Sequence, residues 1–147
     1  MFHNILVPVD GSPPSDAAIS LALKVASDER ATVTFAHVLE VAKLVAMASP
    51  SSIDPSFAIA AAQSAAKEIL DRAKAMAAGS KVTIVAELLE GDTVPGLLAL
   101  AKERKVDLIV VGSHGRGGIS RALLGSVAEG ILRRSPIPVL VTHAPRG

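Results

Sequence analysis

The chain has no cysteine, tyrosine or tryptophan and only three phenylalanines among its 147 residues. Without cysteine, neither a disulfide nor a thiolate metal site can form, and a cytoplasmic setting is the expectation. Without stacking aromatics, single-stranded nucleic acid has no platform to lie on. Charge of one sign is also missing: fifteen basic against fourteen acidic residues give a formal +1. That balance offers no footprint for nucleic acid or for an anionic membrane. No apolar run approaches the ~18 residues needed to span a bilayer. Met1-Phe2-His3-Asn4 leads directly into a strand pattern, so no signal peptide is expected.

Several catalytic signatures are missing as well. After the first apolar run comes Asp10-Gly11-Ser12-Pro13-Pro14, which lacks the G-x-G-x-x-G of dinucleotide-binding folds, and no G-x4-G-K-[ST] of a P-loop occurs. A phosphorelay receiver would need further acidic residues beside Asp10 and an aspartate closing the third strand, and Leu88-Leu89-Glu90 with Asp92 does not supply them. No nucleophile, base and acid stand out together, so no catalytic residue is assigned. His3, His37 and His143 lack metal-ligand spacing and read as structural.

What is present is an alternation of strand and helix patterns. Strands are expected at Ile5–Val9, Thr32–Val38, Val82–Leu88, Leu108–Val111 and Pro138–Thr142. Helices are expected at about Pro13–Ser27, Ser56–Ala78 and Thr93–Lys105, and again after Ser126. Strands separated by helices imply crossover connections and a mostly parallel five-stranded sheet covered on both faces. Half of the residues are apolar, and with so few aromatics the core must be Val, Ile, Leu and Ala. One domain spanning 1–147 accounts for the length. Ala18, Ala22, Val25 and Ala26 stripe the first helix, with Ser12 or Ser15 as its cap. Ala62, Ala65, Ala66, Ile69, Ala73 and Met76 stripe the long one. Residues Ala48 to Pro55 are rich in loop formers and read as a mobile segment.

The densest chemistry follows the fourth strand. Gly112, Ser113, His114, Gly115, Arg116, Gly117 and Gly118 form a glycine-rich loop, and Gly125, Ser126 and Val127 open the next helix. Glycines admit backbone N–H groups close to an anion, and the positive end of a helix favours negative charge. Three glycines at this spacing, with Ser126 as helix cap and hydroxyl donor, point to phosphate. His114 can hydrogen-bond phosphate or ribose, and can equally be a solvated loop residue without an acidic partner. Arg116 and Arg121 can neutralise phosphate charge. Asp10 can accept from a ribose or base donor, or simply cap the turn Asp10-Gly11-Ser12.

The spacing G-x2-G-x9-G-S, within the run Val110 to Val141, resembles the C-terminal signature of universal stress proteins. Ile5-Leu6-Val7-Pro8-Val9-Asp10-Gly11-Ser12 at the start is similar to that family's opening strand and turn. Only about Glu40 to Ser56 lacks a match, a variable connection in the family. The resemblance implies a Rossmann-like α/β domain with strand order 3-2-1-4-5, which sets the carboxyl ends of the first and fourth strands side by side. It implies an ATP or other adenine-nucleotide site, with Pro8 and Val38 flanking the base and Mg2+ or Mn2+ carried by the phosphates. A stress-response regulatory or sensor role follows, with at most slow ATP hydrolysis; a slow ATPase or nucleotide hydrolase and a nucleotide-free interaction protein are the alternatives. An unidentified regulatory partner is part of that expectation.

The last strand adds a clue of its own. Pro138-Val139-Leu140-Val141-Thr142 carries no charge, yet as a final strand it should lie at an exposed edge that invites pairing. Homodimerisation through this strand is what the resemblance implies, while shielding by Pro136, Pro138 and the tail from His143 to Gly147 is the alternative.

Overall fold

The computed structural model describes residues 2–26, 30–48, 54–114 and 124–144. Strands β1 (Asn4–Pro8), β2 (Thr32–Leu39), β3 (Thr83–Glu90), β4 (Leu108–Gly112) and β5 (Val139–Thr142) form one sheet. Its order is β3-β2-β1-β4-β5 and every neighbouring pair is parallel. β1 is central, with Ile5, Leu6 and Val7 at most 1% exposed, as a strand covered on both faces must be.

Alternation along the strands divides the core in two. Ile5, Val7, Leu108 and Val110 pack with Ala18, Ile19 and Ala22 of α1 (Pro13–Val25) and with Ile69, Leu70 and Ala73 of α3 (Pro55–Met76). Leu6, Ile109 and Val111 face the other way, onto Leu97 and Leu100 of α4 (Thr93–Glu103) and Ala128 and Ile131 of α5 (Ser126–Arg134). The period of two in the strands and the alanine-rich helix stripes thus produce a three-layer α/β domain.

Helix boundaries follow local chemistry. Ser12 caps α1, its hydroxyl accepting from Ser15 N at 3.3 Å, with Pro13 tolerated in the first turn. Asp54 caps α3, its carboxylate accepting from Ser56 N at 2.9 Å, and that bond holds its pKa below the usual carboxylate value. One element departs from expectation: α2 (Val41–Ala48) is a helix within the connection that the sequence left without structure. Six of its eight residues are good helix formers and two are valines, with no cap signal, and it packs on α3. Of the expected mobile segment, residues 49–53 lie outside the described residues.

Candidate functional site at the strand order reversal

Connections after β1 and β4 leave the sheet in opposite directions, so the carboxyl ends of these adjacent strands open a crevice between them. Pro8 ends β1 in register with Ala36, and Val38 lies two residues further along β2, so both side chains point to the α4 face. Both are half-buried, and Val38 packs against the core there.

Asp10 and Gly11 turn the chain out of β1. Asp10 Oδ1 accepts from Ser12 N at 2.9 Å, and Asp10 N donates to Ser15 Oγ at 3.2 Å. The turn-capping role weighed for Asp10 is therefore realised by one carboxylate oxygen, while Oδ2 makes no bond among the described residues. Gly11 has φ 80°, a left-handed conformation that favours glycine. His37, read as structural, holds the other side of the turn through Nδ1 and the Val9 carbonyl oxygen at 2.7 Å.

Across the crevice, β4 runs out through Ser113 and His114. Ser113 N donates to Thr142 O at 2.7 Å, and Gly125 N donates to Ser113 O at 2.6 Å, which brings the start of α5 back to the end of β4. Ser12 Oγ meets His114 O at 3.5 Å, joining the two loops. Three of the sequence-predicted segments, Asp10 to Ser12, Gly112 to His114 and Gly125 to Val127, are thus brought together. Gly115, Arg116, Gly117, Gly118 and Arg121 lie outside the described residues.

One assignment needs revision. Ser126 does not cap α5: Gly125 occupies that position in extended conformation, its carbonyl accepting from Glu129 N at 3.0 Å, and Ser126 is the first helical residue. Among the described residues no side chain caps this helix, and the first-turn N–H groups of a helix have no intrahelical partner of their own. Val127 turns its side chain to the core, leaving its backbone N–H as the group that can face an anion. Gly112 has a reason to be glycine beyond phosphate approach: a Cβ there would sit 2.7 Å from Pro14 C and 2.9 Å from Pro14 O. The start of α1 lies against β4 at this point, and Thr142 Oγ1 donates to Pro14 O at 3.0 Å to fix it.

His114 carries an unpaired ring nitrogen. Its Nδ1 is 3.1 Å from the buried Ser113 Oγ, and its Nε2 is buried with no hydrogen-bond partner among the described residues. A buried polar atom left unpaired is costly, and a bound acceptor or donor would satisfy it. The hydroxyls of Ser12, Ser15 and Thr142 were not singled out in the sequence, although Ser12 and Ser15 were visible as caps.

Beyond the crevice, Glu40 follows β2 and accepts from Thr93 Oγ1 at the start of α4, while Lys43 reaches it at 2.5 Å. Lys43 and then Thr93 hold the Glu40 carboxyl below its usual pKa. Among the described residues no three His, Cys, Asp or Glu side chains group to hold a metal ion, and no helix is long and apolar enough to cross a membrane.

The chain belongs to the universal stress protein family, whose model matches residues 1–143. It is 33% identical over 146 residues to a universal stress protein of Methanocaldococcus jannaschii, covering 99% of this chain and 85% of that one. A Mycobacterium tuberculosis relative is 32% identical across 97% of this chain, which spans only 48% of the relative's length. Among solved structures, a Lactobacillus plantarum universal stress protein superposes with TM-score 0.78 at 26% identity, covering 95% of this chain and 97% of that one. A universal stress protein in complex with cAMP superposes with TM-score 0.63 at 32% identity, covering 98% of each chain.

Proposed function

We propose that this universal stress protein is an adenine-nucleotide-binding regulatory module, with ATP as the ligand in the crevice between β1 and β4. The observation that carries this is the return of the uncapped α5 N-terminus to the end of β4, through Gly125 N and Ser113 O at 2.6 Å. Helix N–H groups, the loop from Gly112 to Gly118 and the orphaned His114 Nε2 would then converge on phosphate. Asp10 Oδ2 would take a ribose or base donor, and Pro8 and Val38 would flank the base. Binding of cAMP by a relative of 32% identity supports the adenine-nucleotide class. Since no acidic cluster stands ready among the described residues, Mg2+ or Mn2+ would arrive on the phosphates.

Binding is favoured over hydrolysis because the His114 ring pairs with a serine hydroxyl, with no carboxylate among the described residues bonded to it to orient it as a base. The ligand state would be passed to a regulatory partner in the cytoplasm, from a homodimer paired through β5, which lies at the sheet edge with Leu140 exposed. Titration calorimetry with ATP, AMP and cAMP tests the site. Wild type should bind ATP, and Gly115→Val, which blocks backbone approach in the loop, should bind at least tenfold more weakly. Equal affinities would remove the phosphate-loop assignment.

A further inference from the structure

Val9 carries the backbone from β1 into the crevice, and its N–H still donates to Ala36 O of β2 at 2.8 Å. The next peptide unit, which joins Val9 to Asp10, is gripped at both of its polar ends by side chains. His37 Nδ1 meets Val9 O at 2.7 Å, and Asp10 N donates to Ser15 Oγ at 3.2 Å. A carbonyl oxygen only accepts, so the His37 proton sits on Nδ1. His37 continues the row of Val33 and Phe35 on the face of β2 that packs with α1. Ser15 is buried in the first turn of α1. Sheet and helix thus each send a side chain to the same peptide unit.

The turn beyond that unit closes on itself. Asp10 N donates to Ser15 Oγ, Ser15 N to Ser12 Oγ at 3.3 Å, and Ser12 N to Asp10 Oδ1 at 2.9 Å, so the ring of bonds returns to the residue where it began. The ring fixes the shape of the turn, and Asp10 Oδ2 takes no part in it. His37 lies outside the ring and orients it against β2 through Val9 O. Loss of the His37 bond would leave the ring and the α1 cap in place and free the Val9–Asp10 peptide to tilt. A hydrogen bond made by Asp10 would then weaken steeply as its angle and length depart from a narrow range.

On the reading that the crevice takes adenine nucleotide, we propose that His37 is a positioning residue for that ligand. By holding the Val9 carbonyl it sets the plane of the Val9–Asp10 peptide, and so the direction in which Asp10 presents Oδ2 to a ribose or base donor. His37 touches no nucleotide itself; it acts through Asp10, and Ser15 supports the same peptide unit from α1. Were His37 merely structural, its ring would only satisfy the carbonyl of Val9, a residue 4% exposed, and its loss would weaken the fold without acting through Asp10. The two roles differ in one respect. A positioning effect vanishes once the Asp10 carboxylate is removed, whereas a structural cost is incurred with or without it.

Calorimetric titration with ATP, well below the melting transition, tests this on wild type, His37→Phe, Asp10→Ala, the double variant of the two, and His37→Asn. Asp10→Ala should weaken binding about tenfold or more, as loss of a hydrogen bond to a charged group does. His37→Phe should weaken it about fivefold or more with Asp10 present, and by less than about twofold once Asp10 is replaced by alanine. His37→Asn, whose amide nitrogen takes the place of Nδ1, should restore most of the affinity. Ser15→Ala releases the same peptide unit from α1, should act as His37→Phe does, and serves if that variant does not fold. Wild-type affinity in His37→Phe, or an equal fold loss with and without Asp10, would overturn the proposal. So would Asp10→Ala binding ATP as wild type does, an outcome that leaves the phosphate loop standing. Wild type that binds none of ATP, AMP and cAMP would instead overturn the nucleotide reading of the crevice, and the role of His37 with it.

Discussion

Replacing Gly112 by alanine tests the link between the crevice and the packing beneath it. The new Cβ would lie 2.7 Å from Pro14 C, 2.9 Å from Pro14 Cβ and 2.9 Å from Pro14 O. Two of these are backbone atoms of α1, held by Thr142 Oγ1, so no side chain can swing away to make room. Overpacking of this kind costs about 1–3 kcal/mol, and the gain from removing a strand glycine returns at most about 1 kcal/mol. For a domain of this size each kcal/mol lowers the melting temperature by about 2–4 °C. Gly112→Ala should therefore melt several degrees below wild type. Gly96→Ala is the matched control: its Cβ meets only Leu89 Cδ1, at 3.9 Å, within α4. Better helix propensity should stabilise it by about 0.8–1 kcal/mol. Gly130→Ala falls between, because its contact at 2.8 Å is with a methyl of Val94, a side chain whose rotation is restricted. Calorimetric melting of the three variants checks the ranking. A Gly112→Ala protein that melts at or above wild type would refute the packing argument.

The remaining expectations are more local. Ser12→Ala removes the α1 cap to Ser15 N and should lower stability by about 1 kcal/mol, read from the urea midpoint. Glu40 has a folded pKa held below its usual value, so its contribution is present at neutral pH and is lost as pH falls through the folded pKa. The stability difference between wild type and Glu40→Gln should accordingly narrow below about pH 4.3; a gap unchanged down to pH 3 would refute the Lys43 and Thr93 network as its source. Val141→Lys should reduce a β5-paired dimer to monomer by light scattering, and an unchanged mass would place the contact elsewhere.

Much of this architecture was legible because it rests on periodicity. Ile5-Leu6-Val7 and Leu108-Ile109-Val110-Val111 are continuous apolar runs, as strands covered on both faces require, and both are buried. Strand order came from the family resemblance, since nothing in a strand's own residues names its neighbour. α2 escaped because eight residues without a cap, two of them valine, carry little signal. β3 reaches Glu90, two residues past the expected end, because its last residues pair with Val38 and Leu39. In the candidate site, the glycine spacing pointed to the segments after β4, which the fold sets beside the end of β1, but not to each residue's structural role. Ser126 was mistaken for the cap because serine usually leads glycine there, and Gly112 was read for its ligand when it also answers to Pro14. Contacts between segments a hundred residues apart, such as Ser12 Oγ with His114 O, have no local signal.

The central claim is that adenine nucleotide sits between β1 and β4 with its phosphates at the start of α5. Backbone amide chemical-shift mapping on addition of ATP addresses it most directly. The account expects the largest shifts at Ser126, Val127 and Ala128, together with Asp10 to Ser12 and Gly112 to His114. Saturable binding that leaves those amides unmoved and shifts others instead would contradict it.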